Sequence, residues 1–216
     1  MPTPVIESTV LESKPQILSG IVHIANQQIH KVSLEEFMQN PPENSEWVNE
    51  QIIEKQNMGF LHSKLQVELA SLLLTFAKAN NLAGIVCTEL LCRTLKQARK
   101  PDVAYMSTKQ VEVYGNDDFI TLPECFPLVI EIASPNDVVE DIFSKAEEYL
   151  QAGAEEVWLV FPKNRLIIIA TLELLEEQSQ VKWQLFANTQ QAYSPKVLSG
   201  FSVNINELLP VYTNQS

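Results

Sequence analysis

Two carboxylates and a lysine carry the chemistry this sequence offers. Glu131 lies inside Pro127-Leu128-Val129-Ile130-Glu131-Ile132-Ala133, a run that otherwise reads as a buried strand. Burying an ionised carboxylate without a partner is costly, so such a group is paired, hydrogen-bonded, protonated or bound to a metal. Asp102 stands at the mouth of a second apolar run, Lys100-Pro101-Asp102-Val103-Ala104-Tyr105, and Lys145 follows Ser134-Pro135-Asn136-Asp137 in a helical segment. Alternation places Val129, Glu131 and Ala133 on one face of their strand and Leu128, Ile130 and Ile132 on the other. If the strand beginning near Asp102 pairs with this one, the two carboxylates converge at one end of a sheet. With a main-chain carbonyl such as that of Ile132 they make a hard-oxygen donor set suited to Mg²⁺ or Mn²⁺. An ion so held would lower the pKa of a bound water and offset charge at phosphorus. Lys145 would orient the attacking water or stabilise that charge, and the chemistry expected is phosphodiester hydrolysis.

Each residue also has a plainer role open to it. Pro-Asp is a common turn opener, Lys145 could pair with Asp141 on the helix surface, and Glu131 could form a structural ion pair with Arg93 or Lys145. His62 lies beside a glycine turn at the start of a helix, where it would act as a cap or touch a phosphate or water at the site. Ser134 has no His-Asp partners that would make it a nucleophile. Tyr149 and Trp158 fall on core-facing periods and read as packing residues.

Composition sets limits on these roles. The 216 residues are 45% apolar, enough for one substantial core, and 15 Lys plus Arg against 27 Asp plus Glu leave a net charge of −12. A phosphate backbone is repelled by such a surface on average, so binding would depend on local patches and bound cations. Arg93, Lys96, Arg99 and Lys100 form one such patch just before Asp102, and Lys163 and Arg165 another. Cys87, Cys92 and Cys125 include no C-x-x-C pair and are expected as packed thiols. No run approaches the roughly 20 apolar residues of a membrane span and no secretory leader is evident, so a soluble, cytoplasmic protein without membrane contact is expected.

The elements that must position the acids can be placed from pattern. Residues 1–32 read as an N-terminal extension with one strand-like run at 17–24, and 33–216 as one domain. Ser33-Leu34-Glu35-Glu36 has the form of a capping box opening a short helix that Pro41-Pro42 ends. A strand is expected over 47–56, then a turn at Asn57-Met58-Gly59. The clearest helix spans 62–80, with Leu65, Leu69, Leu72, Leu73 and Phe76 at three- and four-residue spacing. Strands follow at 85–87, 90–95, 103–106 and 127–133. Asp137-Val138-Val139-Glu140 resembles a second capping box, opening a helix to about residue 151 that Gly153 stops. Further strands are expected at 157–161, 166–172 and 181–186, and the passage from Leu128 through Tyr149 to Val160 as a right-handed crossover in a mixed sheet.

In combination these segments resemble a family. Gly59-Phe60-Leu61-His62 before an amphipathic helix, Lys100-Pro101-Asp102-Val103-Ala104, Leu128 through Pro135, Asp141 to Lys145 to Tyr149, and Gly153-Ala154-Glu155-Glu156-Val157-Trp158 look like the Uma-two family of bacterial endonucleases, within the restriction-endonuclease-like PD-(D/E)XK superfamily. The resemblance covers about residues 33–190. It implies an α/β fold with a central mixed sheet flanked by helices, metal acids at Asp102 and Glu131, and a nucleic-acid substrate, DNA foremost. It also implies a homodimer, since many enzymes of the superfamily cut two strands with two sites. The superfamily lysine two residues after the glutamate is replaced by Ala133. Family members of this type carry a lysine on the next helix, here Lys145. The alternative implied by that departure is a nuclease-like binding or regulatory module with a weak or unused metal site.

Overall fold

The computed structural model describes residues 32–55, 58–115, 118–175, 178–187, 192–204 and 208–209. The strand expected at 17–24 lies outside the described residues. Helix α1 (Leu34–Gln39) has the expected capping box, with the Ser33 and Glu36 side chains each accepting from the other's backbone. The strand expected over 47–56 is instead a hairpin of β1 (Ser45–Val48) and β2 (Gln51–Glu54). Asn49 and Glu50 turn it at φ 51° and 63°, the paired left-handed conformations of a tight two-residue loop. Asn at the first of these positions was the available signal.

Helix α2 (Phe60–Ala79) buries Leu65, Leu69, Leu73 and Ala77 at four-residue spacing, whereas Leu72, expected in the stripe, is 43% exposed. Then come β3 (Ile85–Cys87), β4 (Leu91–Arg93), β5 (Ala98–Arg99) and β6 (Val103–Met106). Helix α3 (Thr108–Tyr114) opens on a capping box between Ser107 and Gln110 and was not anticipated. After β7 (Thr121–Leu122) and β8 (Leu128–Ile132), α4 (Val139–Gln151) starts without the expected side-chain cap. Asp137 instead accepts from the Ser134 N–H at 2.7 Å, closing the turn before the helix. Gly153, at φ 105°, follows its C-terminus as expected. The last strands are β9 (Glu156–Phe161), β10 (Leu166–Leu175), β11 (Gln178–Ala187), β12 (Ala192–Tyr193) and β13 (Val203–Asn204).

Among the described residues a mixed six-stranded sheet runs in the order β11-β10-β9-β8-β6-β3, and a second sheet in the order β2-β1-β5-β4-β7. β8 and β9 are parallel, joined through α4, while β6 is antiparallel to β8. Alternation along β8 divides the core as expected. Leu128, Ile130 and Ile132 pack with Leu65, Leu69 and Leu73 of α2, and Val129 packs with Ala146, Tyr149 and Leu150 of α4. Glu131 therefore faces the α4 side. Cys92 and Cys125 are buried free thiols and Cys87 is half-buried. Among the described residues no helix is long and apolar enough to cross a membrane.

Candidate active site

The pairing of β6 with β8 brings the two predicted acids together. Val103 stands opposite Ile130, so one step further along the same antiparallel register sets Asp102 beside Glu131. Both are buried, at 3% and 8% exposure. The Ile132 N–H donates to Asp102 Oδ2 at 2.7 Å. In an extended strand a residue's N–H and C=O leave on the same side, so the Ile132 carbonyl also points to the Asp102 edge of β8.

His62 does not cap its helix. Gly59 is the N-cap, and His62 Nε2 lies 3.0 Å from Asp102 Oδ2. Among the described residues its other ring nitrogen, Nδ1, is buried without a hydrogen-bond partner. On the far oxygen of Asp102, Lys55 Nζ donates at 3.0 Å. Burial pushes the Asp102 carboxyl up, but His62 and Lys55 outweigh it and hold the group well below the usual carboxylate range.

Glu131 has the opposite balance. Lys145 Nζ stands 3.0 Å from Glu131 Oε1 and the Tyr149 hydroxyl donates to the same oxygen at 2.7 Å. Burial raises the Glu131 carboxyl to about 7; Lys145 opposes the shift and the neighbouring Asp102 charge adds to it. Lys145 is one turn of α4 before Tyr149, so the i, i+4 spacing delivers both donors to one carboxylate. Burial lowers the Lys145 ammonium, and Glu131 and Glu46 more than reverse this, raising it.

Three contributors were missed by sequence reasoning. Glu46 of β1 accepts from Lys145 at 2.9 Å and from the Lys100 N–H at 2.9 Å, and pairs with Arg99 at 3.2 Å. Lys55, just beyond β2, donates to Glu89 at 2.8 Å and to the Lys100 carbonyl at 2.9 Å as well as to Asp102. Glu89, at φ 54°, is further held by Gln66, which bridges it to the Asp102 carbonyl with both contacts at 2.9 Å. Glu46 carried only a weak signal, an acid beside Trp47 at the edge of an expected strand. Lys55 and Glu89 carried none.

Two of the four residues of the basic patch expected before Asp102, Arg93 and Arg99, are engaged in ion pairs. Arg93 pairs with Glu35 at 2.8 Å, and Arg99 sits between Glu46 and Glu148, 2.6 Å from the latter. Reversing charge at Arg99 would therefore break buried pairs rather than probe phosphate contacts. Lys96 is the exposed member.

The ion pairs form two adjoining clusters, one in which Glu89 and Asp102 meet Lys55 with His62 against Asp102, and one in which Glu46, Glu131 and Glu148 meet Lys145 and Arg99. Among the described residues no three His, Cys, Asp or Glu side chains form a ready-made cage. Mg²⁺ does not need one, since it keeps several waters and is held through one or two carboxylates. Asp102, Glu131 and the Ile132 carbonyl are compatible with that requirement.

Glu46 gives a pH signature independent of any ion. Burial pushes its carboxyl up, and Lys145 and Arg99 more than reverse this, holding it at about 2 against an ordinary 4.5. A depressed carboxyl contributes stability that is present above pH 4.5 and is lost as pH falls toward 2. That contribution is on the order of 3 kcal/mol. Glu46→Gln is expected to lower stability at neutral pH and to flatten the acid limb between pH 4.5 and 2 by one proton, as read by urea unfolding across pH. An unchanged acid limb would show that Glu46 is not held by these cations.

The Uma2 family model, described as "Putative restriction endonuclease", matches residues 32–206. A crystal structure described as "a putative nuclease belonging to DUF820", from Anabaena variabilis ATCC 29413, is similar in fold at a TM-score of 0.71 and 21% identity. The match covers 82% of this chain and 97% of that one. No curated protein matches the chain.

Proposed function

The chain belongs to the Uma2 family, and on that premise we propose that it is a divalent-metal-dependent endonuclease that hydrolyses phosphodiester bonds of DNA, acting as a homodimer so that two sites address two strands. The observation that supports this reading is the meeting of two buried carboxylates, Asp102 and Glu131, on neighbouring strands, with the Lys145 ammonium beside Glu131. Asp102, Glu131 and the Ile132 carbonyl would hold Mg²⁺ or Mn²⁺. When bound, such an ion supplies positive charge against the phosphodiester and eases ionisation of a nearby water.

The chain's own residues do the rest. His62 and the Ile132 N–H fix one oxygen of Asp102 and so set the direction of its carboxylate. Tyr149 anchors Glu131. Lys145, held on α4 instead of two residues after Glu131, where Ala133 stands, presents an ammonium beside Glu131 to orient water or stabilise charge developing at phosphorus.

A nuclease-like binding module is favoured by one observation, that Lys55 and Lys145 already neutralise both acids through internal ion pairs. Nicking of supercoiled plasmid separates the two readings. Metal-dependent nicking is expected for the wild type, falling about a hundredfold or more in Asp102→Asn and Glu131→Gln. Nicking that persists in both variants, or none from folded wild type with DNA or RNA and either metal, would overturn the endonuclease reading; the second outcome would favour the binding module.

A further inference from the structure

Lys55 has an unusual set of partners. Its ammonium is ringed by Glu89 Oε2 at 2.8 Å, the Lys100 carbonyl at 2.9 Å and Asp102 Oδ1 at 3.0 Å. Two carboxylates and a main-chain carbonyl are the hard oxygen donors that otherwise surround a divalent cation. One of them, Asp102, also belongs to the set proposed for the catalytic ion. Its two oxygens are divided, with Oδ1 on Lys55 and Oδ2 on His62 and the Ile132 N–H.

In two-metal phosphodiesterases a pair of ions roughly 3.5–4 Å apart clamps the attacking and leaving oxygens. We propose that Lys55 occupies the second cation position of this site, so that the protein works with one exchangeable metal and one covalently tethered charge. This rests on the endonuclease reading for its catalytic meaning, but the cation position itself does not. The tether is built for the purpose. Lys55 follows β2 directly, its N–H bonds the Asn44 carbonyl at 2.8 Å, and its side chain is only 13% exposed. Glu89 adopts a left-handed backbone uncommon for a non-glycine residue, and Gln66 holds its other oxygen, so the acid is aimed before the ammonium arrives. An ammonium cannot be lost to chelators or diluted away, and it does not bring bound waters. The second charge is thereby fixed at one per chain.

The test counts ions. Mn²⁺ bound per chain is measured by electron paramagnetic resonance of the free ion, with melting temperature on the same samples, for wild type, Lys55→Ala and the double variant Lys55→Ala/Glu89→Gln. The wild type is expected to bind one Mn²⁺, Lys55→Ala two, and the double variant one again, because a donor of the vacated position is gone. Lys55→Ala should melt lower than wild type without metal and recover most of the difference in millimolar Mn²⁺. A count in folded Lys55→Ala no higher than in wild type would overturn the proposal. So would a Lys55→Ala chain that stays unfolded in millimolar Mn²⁺, since a replacement cation should restore it. A wild type that binds none while Lys55→Ala binds one would uphold the role of Lys55 and instead sink the Asp102–Glu131 metal site.

Discussion

Lys145→Met is expected to reduce metal-dependent cleavage by about a hundredfold or more and, at the same time, to lower the melting temperature. The first effect is the scale seen when one preorganised charge beside a transition state is removed. The second follows from the contacts, since Lys145 bridges Glu131 at 3.0 Å and Glu46 at 2.9 Å, both buried. Removing one partner of a buried pair costs about 3–5 kcal/mol, roughly 6–20 °C in a domain of this size. The second buried partner, Glu46, makes the fold sensitive to this change. Activity is therefore compared well below the melting temperature of the variant, where both proteins are folded. A hundredfold loss there assigns Lys145 to the chemistry. A loss no greater than the unfolded fraction would leave it a structural residue only. Lys145→Arg should rescue stability more than activity, because a planar guanidinium can pair with two carboxylates but does not reproduce a compact ammonium at one point.

The second large effect is metal-linked stability. Mg²⁺ or Mn²⁺ at a hundredfold excess over Kd should stabilise the wild type by about 2.7 kcal/mol, roughly 5–10 °C. Asp102→Ala and Glu131→Gln should abolish the shift, and equal shifts in all three proteins would remove Asp102 and Glu131 from metal binding. The two variants differ without metal. Asp102→Ala takes the acceptor from His62 Nε2 and the Ile132 N–H and one of two carboxylates from Lys55, and should be destabilised. Glu131→Gln keeps a carbonyl oxygen to accept from Tyr149 and Lys145. Glu131 is raised to about 7, so its protonated form is the one the fold prefers, with its contribution intact below pH 4.5 and lost as pH rises through about 7. The amide escapes that loss, and at pH 8 the metal-free Glu131→Gln protein should melt no lower than wild type.

What was legible in the sequence lay in single segments with a strong period. The β8 run announced its strand, its two faces and the oddness of Glu131, and the α4 segment placed Lys145 and Tyr149 one turn apart. Pro101-Asp102 became informative through its position before a strand. What could not be read was pairing across distance. Glu46, Lys55 and Glu89 look like ordinary charges in short stretches; the pairing of β1 with β5 carries Glu46 and Lys55 to the acids, and Gln66 and the Pro101 carbonyl hold Glu89 there. The assignment of Tyr149 to packing was correct for the ring and incomplete for the hydroxyl, since periodicity reports where a side chain points and not what its polar tip meets. The basic patch was half legible for a related reason, because a cluster of Arg and Lys in sequence does not reveal which of its members are already paired, here Arg93 and Arg99.

The hairpin has a consequence for how the molecule comes together. Glu46 and Lys145 are 99 residues apart in the chain, Glu46 and Arg99 are 53 apart, and Lys55 and Asp102 are 47 apart. Closing loops of that length costs chain entropy before any contact is gained, whereas α4 and the strands it joins assemble from near neighbours. The ionic cluster therefore belongs to the slow, non-local part of folding. On a ribosome the hairpin is made before every one of these partners, so a nascent chain carries Lys55 without its partners until Glu89 to Asp102 have been made and Glu46 without Lys145 until α4 has.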